Sequence, residues 1–222
     1  MFRAALAFAL LPCALGACTT RTAGPVGIVE APPAPPIGWR AIASAADQQR
    51  IAELPATWAR AVAAVPRRMQ AKLRAETKLV EPTAALELPA PPPGPYRCRL
   101  IRFGGRAGFA TFPPDFCYVD GGDKGVSFTK QTGSNLPGGW LHADTATRQV
   151  FLGSLRAAGA EGAPGYGDDP AQDVAGVVER VSPFRWRLVL TRGGRGALLD
   201  VYELVPVPPE VPGATPAVPA EK

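Results

Sequence analysis

Few residues of this chain have the types and spacing that chemistry needs. There is one histidine, His142, and therefore one candidate imidazole base. It lies in Gly138-Gly139-Trp140-Leu141-His142, which reads as a strand after a turn, where a histidine beside tryptophan is usually structural. No GxSxG, HExxH or GxxxxGK motif occurs. Asp168, Asp169 and Asp173 cluster after Gly165-Tyr166-Gly167. Paired carboxylates can bind calcium or work as acid and base, but the EF-hand spacing and its terminal glutamate are missing. A loop whose aspartates cap turns is the simpler reading. The run Thr129-Lys130-Gln131-Thr132-Gly133-Ser134 is dense in hydrogen-bonding groups. Lys130, Thr132 and Ser134, with Arg180 or Arg185, could hold an anion. The simpler reading there is a hairpin turn in which Gly133 takes positive φ. No catalytic residue is assigned, and no cofactor is expected. One histidine and no CxxC pair argue against a zinc site.

These residues must be positioned by two kinds of segment. Residues 39–88 read as helical. Ile51, Leu54, Trp58, Val62, Val65 and Met69 recur at three- and four-residue spacing and make one apolar stripe. Ser44 is a suitable N-cap, with Asp47 three residues on. Pro55 and Pro66 each remove a donor, so two or three short helices are expected. The stripe should dock on the protein's own core rather than on a partner. Pro89 to Pro95 is a proline hinge. Beyond it, residues 95–206 hold short β-rich runs divided by glycine. Candidates are Tyr96–Phe103, Phe109–Phe112, Cys117–Asp120, Val126–Lys130, Gly139–Ala143, Gln149–Leu155, Val174–Val181, Trp186–Thr191 and Leu198–Leu204. Trp186, Leu188 and Leu190 alternate with Arg185, Arg187 and Val189. The fold class is α+β: a helical segment packed on a mostly antiparallel barrel or sandwich. A barrel is favoured because closure removes exposed edges. Phe128, Trp140, Phe151, Trp186 and Tyr202 are large enough to fill its interior.

The N-terminus gives an address. Arg3 precedes the apolar run Ala4 to Leu11, which is too short to cross a bilayer as a helix and has the length of a signal-peptide core. Leu15-Gly16-Ala17-Cys18 resembles the lipobox of bacterial lipoproteins. That implies cleavage of residues 1–17 and a lipid on Cys18. Of the four cysteines, Cys13 would leave with the leader and Cys18 would carry lipid. Cys98 and Cys117 then remain as an even pair in an oxidising compartment, and a disulfide is expected. Residues 18–38 are proline-rich and read as a tether. Residues 207–222 read as a disordered tail. The leader takes Arg3 with it and lowers the formal net charge of +5. Export and so mild a charge argue against nucleic acid. Thr19, not an aspartate, follows Cys18, so the expected address is the outer membrane with the folded part facing the periplasm.

Several segments together resemble the proteobacterial domain-of-unknown-function family DUF4893. They are Tyr96-Arg97-Cys98-Arg99 with Ile101, the run Phe128 to Ser134, Val150-Phe151-Leu152-Gly153, Tyr166-Gly167-Asp168-Asp169, Asp173 to Arg180, Arg185 to Val189, and Leu199 to Pro206. The resemblance runs from about Trp39 to Pro206. It implies an exported protein and supplies no catalytic residues. A looser likeness is to lipocalin-type barrel lipoproteins of the envelope, from which the helical segment departs. The function expected is a non-enzymatic envelope binding module for a partner protein or a small apolar ligand. Two alternatives stand beside it. One is a cell-wall or lipid hydrolase using Asp168, Asp169 and Asp173, with Lys130 or Arg180. The other is a protease inhibitor of barrel type.

Overall fold

The computed structural model describes residues 38–157, 165–194 and 196–208. Cys18 and most of the segments read from sequence as leader, tether and tail lie outside these residues.

The helical segment begins with α1 (Trp39–Ile42) and α2 (Ala45–Ala52), continues with α3 (Leu54–Ala63) and ends with α4 (Gln70–Ala75). Short 3₁₀ turns at Arg67–Met69 and Thr77–Leu79 flank α4. Ser44 caps α2: its hydroxyl accepts from the Asp47 amide at 3.1 Å and donates to the Asp47 carboxylate at 3.0 Å. Pro55 sits in the first turn of α3, where its missing N–H costs nothing. The segment carrying Pro55 and Pro66 thus forms three short α-helices, α2 to α4, as expected, and α1 precedes them across a break at Ala43–Ser44 that holds no proline.

Eight antiparallel strands follow: β1 (Gly94–Gly104), β2 (Gly108–Gly122), β3 (Gly125–Lys130), β4 (Leu136–Thr145), β5 (Arg148–Arg156), β6 (Asp173–Ser182), β7 (Arg185–Leu190) and β8 (Ala197–Pro206). Each pairs with its sequence neighbour, and β8 closes on β1 with Tyr96 opposite Pro206. The sheet is a closed up-and-down barrel, not a sandwich. The two runs Phe109–Phe112 and Cys117–Asp120, read from sequence as separate strands, belong to the single strand β2. A register shift opposite Arg99/Ile101 carries it past Pro113 and Pro114.

Period-two alternation divides the apolar residues between two cores. One fills the barrel: Tyr96, Cys98, Cys117, Phe128, Phe151, Trp186, Leu188 and Tyr202 are among its buried members. Phe128 meets Phe151 edge-to-face at 6.1 Å, and Tyr96 meets Trp186 at 6.3 Å. Trp140 does not join them. It alternates to the outer face and is 41% exposed. Space at its level is instead taken up by the backbone, because Gly139 and Gly153 stand opposite each other with Phe151 across them. The second core lies on the barrel's outer wall. Ile51, Leu54, Trp58 and Val65 of the helical stripe, with Leu73 of α4, pack there against Ile101, Phe109, Val177, Val189 and Val201, and Val62 and Met69 of the stripe are partly buried against them. The stripe is therefore an internal docking face.

A disulfide joins Cys98 to Cys117 inside the barrel, with 5.8 Å between their Cα atoms. It ties β1 to β2 across a loop of 19 residues.

Candidate functional site

An up-and-down barrel has two ends, and here they differ in chemistry. At the first, β1 begins and β8 finishes, and the β2–β3, β4–β5 and β6–β7 turns gather. The chain leading into β1 crosses this end as a strap. The Leu86 amide donates to Arg180 O at 2.8 Å, the Leu88 amide to Ala146 O at 3.2 Å, and the Tyr96 hydroxyl to Pro92 O at 2.6 Å. Pro89–Pro95, read from sequence as a hinge, is thus pinned at both sides. Burial pushes the Tyr96 hydroxyl up to about 12.

Between the strap and the β6–β7 turn lies an apolar cleft of about 760 Å³. Leu88, Pro92, Tyr96, Phe184 and Trp186 are among the residues that line it. Leu88 and Phe184 are 74% and 75% exposed. Leu88 also holds φ of 58°, a left-handed conformation that is uncommon for a bulky residue. Among the described residues, the buried indole N–H of Trp186 has no hydrogen-bond partner.

At the opposite, loop end lies a second cavity of about 690 Å³, lined by residues that include Ser134, Leu155, Leu190, Arg192 and Tyr202. Arg102 and Asp200 face each other across β1 and β8 and form a bidentate pair at 2.8 and 2.7 Å. Asp200 also accepts from the Gly194 amide at 2.9 Å. Arg192 donates to Asp173 O at 3.1 Å and to Ala171 O at 3.2 Å.

The five residues proposed from sequence as anion contacts do not converge. Lys130, Thr132 and Ser134 are at the loop end, whereas Arg180 and Arg185 are at the strap end. Lys130 is buried, and its ammonium is taken by Asp115 at 2.7 Å, Thr132 O at 2.7 Å and Ser134 O at 3.4 Å. The Thr132 hydroxyl accepts from the Phe116 amide at 2.9 Å. Gly133 has φ of 83°, and a Cβ there would sit 2.6 Å from both Asp115 carboxylate oxygens. The run is a hairpin closed on its own side chains. Arg180 donates to Glu87 O at 2.9 Å, and Arg185 pairs with Glu203. Ser134 does line the loop-end cavity.

The three aspartates cap turns. Asp168 accepts from the Gly165 amide at 2.7 Å, Asp169 from Ala171 at 3.0 Å, and Asp173 from Gly167 at 2.9 Å. They share the loop end with Lys130 and not with Arg180. His142 is half-buried on the β4 outer side, and burial lowers its pKa below the ordinary histidine range. Among the described residues, no group of three His, Cys, Asp or Glu side chains could hold a metal ion. Cys18 lies outside them.

Sequence reasoning missed the ionic joints between helices and barrel. Arg187 is wholly buried beneath the helices. Its guanidinium pairs with Glu179 at 2.7 Å, donates to the carbonyls of Lys78, Leu79, Glu81 and Pro82, and stacks on Trp58 at 4.5 Å. Arg99 bridges Glu76 of the helical segment at 2.6 Å to Glu203 of β8 at 2.7 Å. The Trp39 indole donates to Asp144 at 2.8 Å. The alternation of β7 was a signal that Arg187 leaves the barrel interior, but nothing local marks that its outer face would be covered.

A family model described as Domain of unknown function (DUF4893) matches residues 39–204. The match begins at the residue that opens α1 and ends within β8, so it takes in both the helical segment and the barrel. No curated protein and no solved structure matches.

Proposed function

The chain belongs to the DUF4893 family, and from that premise we propose that it is an outer-membrane lipoprotein, anchored through Cys18, whose barrel is a non-enzymatic binding module. It takes an apolar group, a partner protein's side chain or a small apolar ligand, into the strap-end cleft.

The observation that carries this reading is the pair Leu88 and Phe184. Two large apolar side chains stand three-quarters exposed on opposite rims of one cleft. Each leaves roughly 1.5–3 kcal/mol of burial free energy uncollected. Leu88 does so from a strained backbone, and strain of this kind concentrates at ligand clamps. The cleft volume lies in the ordinary range of roughly 300–1,000 Å³ for small-ligand sites. The barrel interior is filled by its own side chains, which favours the cleft over a lipocalin-like central cavity.

The test is binding of Nile red to the full-length Cys18→Ala chain. Saturable binding that is lost in Leu88→Asp/Phe184→Asp, at unchanged melting temperature, supports the cleft. A photo-crosslinker at position 184 in the anchored chain then separates the two occupants: a protein adduct means a partner, dye binding without an adduct means a ligand. Neither result appearing would sink the proposal. For the anchor, Cys18→Ala is expected to move the protein from the membrane to the soluble envelope fraction. An unchanged membrane fraction would remove Cys18 from the account.

A further inference from the structure

The loop-end cavity is a second and chemically different pocket, bordered by a tyrosine. Tyr202 lines the cavity from β8 and is 1% exposed. The pKa of its hydroxyl is shifted by burial and by neighbouring charges, with no hydrogen bond among the causes. A buried phenol that close-packs on one side and faces a cavity on the other is normally hydrogen-bonded. Burial first, and then the neighbouring Asp200 carboxylate, push its pKa far above the ordinary tyrosine value, so it stays a neutral donor.

The charges around it do not cancel. Arg102 and Asp200 neutralise each other through two hydrogen bonds, which leave the Arg102 Nη1 unused among the described residues. Arg192 is held by two backbone carbonyls only and enters no ion pair among the described residues. Its guanidinium is therefore fixed in place with its charge uncompensated. Asp173, whose backbone carbonyl Arg192 reaches, is buried, and its carboxylate accepts from the Gly167 amide. The cavity also includes the apolar side chains Leu155 and Leu190. Two guanidiniums and a phenol offer donors and a net positive charge, which suit an oxyanion. The leucines suit a hydrocarbon body attached to it.

We propose that the loop-end cavity binds a small amphipathic carboxylic acid. The carboxylate is held by Arg192, the free edge of Arg102 and the Tyr202 hydroxyl, and the hydrocarbon lies on Leu155 and Leu190. This site stands apart from the strap-end cleft and does not depend on it.

The experiment is titration of the full-length, oxidised Cys18→Ala chain with hexanoate, with hexanol and inorganic phosphate in parallel. Calorimetry gives affinity, and amide chemical shifts give location. Hexanoate should saturate, with shifts centred on Leu190, Arg192 and Tyr202. Hexanol, lacking the charge, should bind about tenfold or more weakly, and phosphate, lacking the body, should also be weaker. Tyr202→Phe and Arg192→Gln should each weaken hexanoate by about tenfold while Nile red binding at the other end is unchanged. No saturable hexanoate binding, equal binding of hexanol, or tightest binding of phosphate overturns the assignment. So does hexanoate binding that survives both variants or vanishes in Phe184→Asp, since it would then belong to the other end. Loss of Nile red binding with hexanoate binding intact removes the strap-end cleft alone.

Discussion

Arg187 is the side chain on which the joint between helices and barrel depends. Five hydrogen bonds and a tryptophan face surround a guanidinium with no solvent contact. Burial lowers its pKa and Glu179 opposes that effect, so the group stays charged because its partners are fixed. Arg187→Ala should remove about 3–5 kcal/mol, because it leaves Glu179 and several carbonyls unpaired beneath the helices. Urea denaturation followed by tryptophan fluorescence measures it, and a loss under 1 kcal/mol would show that water replaces the guanidinium. Asp144 makes a second joint, to Trp39 and Arg148. Burial alone would raise its carboxyl, but the hydrogen bonds from Trp39 and Arg148 outweigh burial and bring it below the ordinary 3.8. A depressed folded value means stability that is complete above 3.8 and is lost as pH falls through the folded value. Acid titration should therefore loosen Trp39 only in that window, and Asp144→Asn should abolish the acid-dependent change. A transition of equal size in Asp144→Asn would assign it to another carboxylate.

At the scale of elements, the inner and outer faces of the strands impose opposite demands. Gly153 faces inward, where an added Cβ would stand 2.2 Å from Gly138 O and 2.7 Å from the Phe151 ring. Gly153→Ala should cost roughly 1–3 kcal/mol by overpacking, read as a lower melting temperature. A neutral result would mean that β4 and β5 can part at that level. This was legible only in part. The alternation of Trp186, Leu188 and Leu190 is visible in the sequence because an inward position leaves an apolar period of two. Trp140 misleads because its aromatic side chain suggests a core, while its neighbours Gly139 and Gly153 are what the interior accepts there. The nine short runs became eight strands because Pro113 and Pro114 look like a break and are absorbed by a bulge. The helical stripe was legible for the same reason as β7. Its docking surface, made of Ile101, Val177, Val189 and Val201 from four strands, is not, because no local pattern encodes which strand faces meet. The candidate anion contacts failed similarly: Lys130 and Arg185 lie at opposite ends of alternating strands, a parity that only the strand count decides.

At the scale of the molecule, closure pairs residues far apart in sequence. Tyr96 meets Pro206 and Gly104 meets Ala197. Such non-local pairing is formed late and slowly, so refolding from urea should take roughly milliseconds to seconds with the disulfide intact. Reducing Cys98–Cys117 should lower stability by about 3 kcal/mol, since a 19-residue loop is released in the unfolded chain. Denaturation with and without reductant checks both, and an unchanged midpoint would mean that the packed interior alone fixes β1 against β2. The two ends are separate surfaces of one closed barrel, with an apolar cleft at the strap end and a charged cavity at the loop end.

The bond from Trp39 to Asp144 has a mechanical meaning. Trp39 opens α1, and its indole is fastened to Asp144, the next-to-last residue of β4. A pull applied to the chain at Gly38 is therefore passed almost at once to a hairpin in the middle of the sheet. The load bypasses α2 to α4, so tension on the N-terminal side is carried by the barrel wall and does not peel the helices one by one.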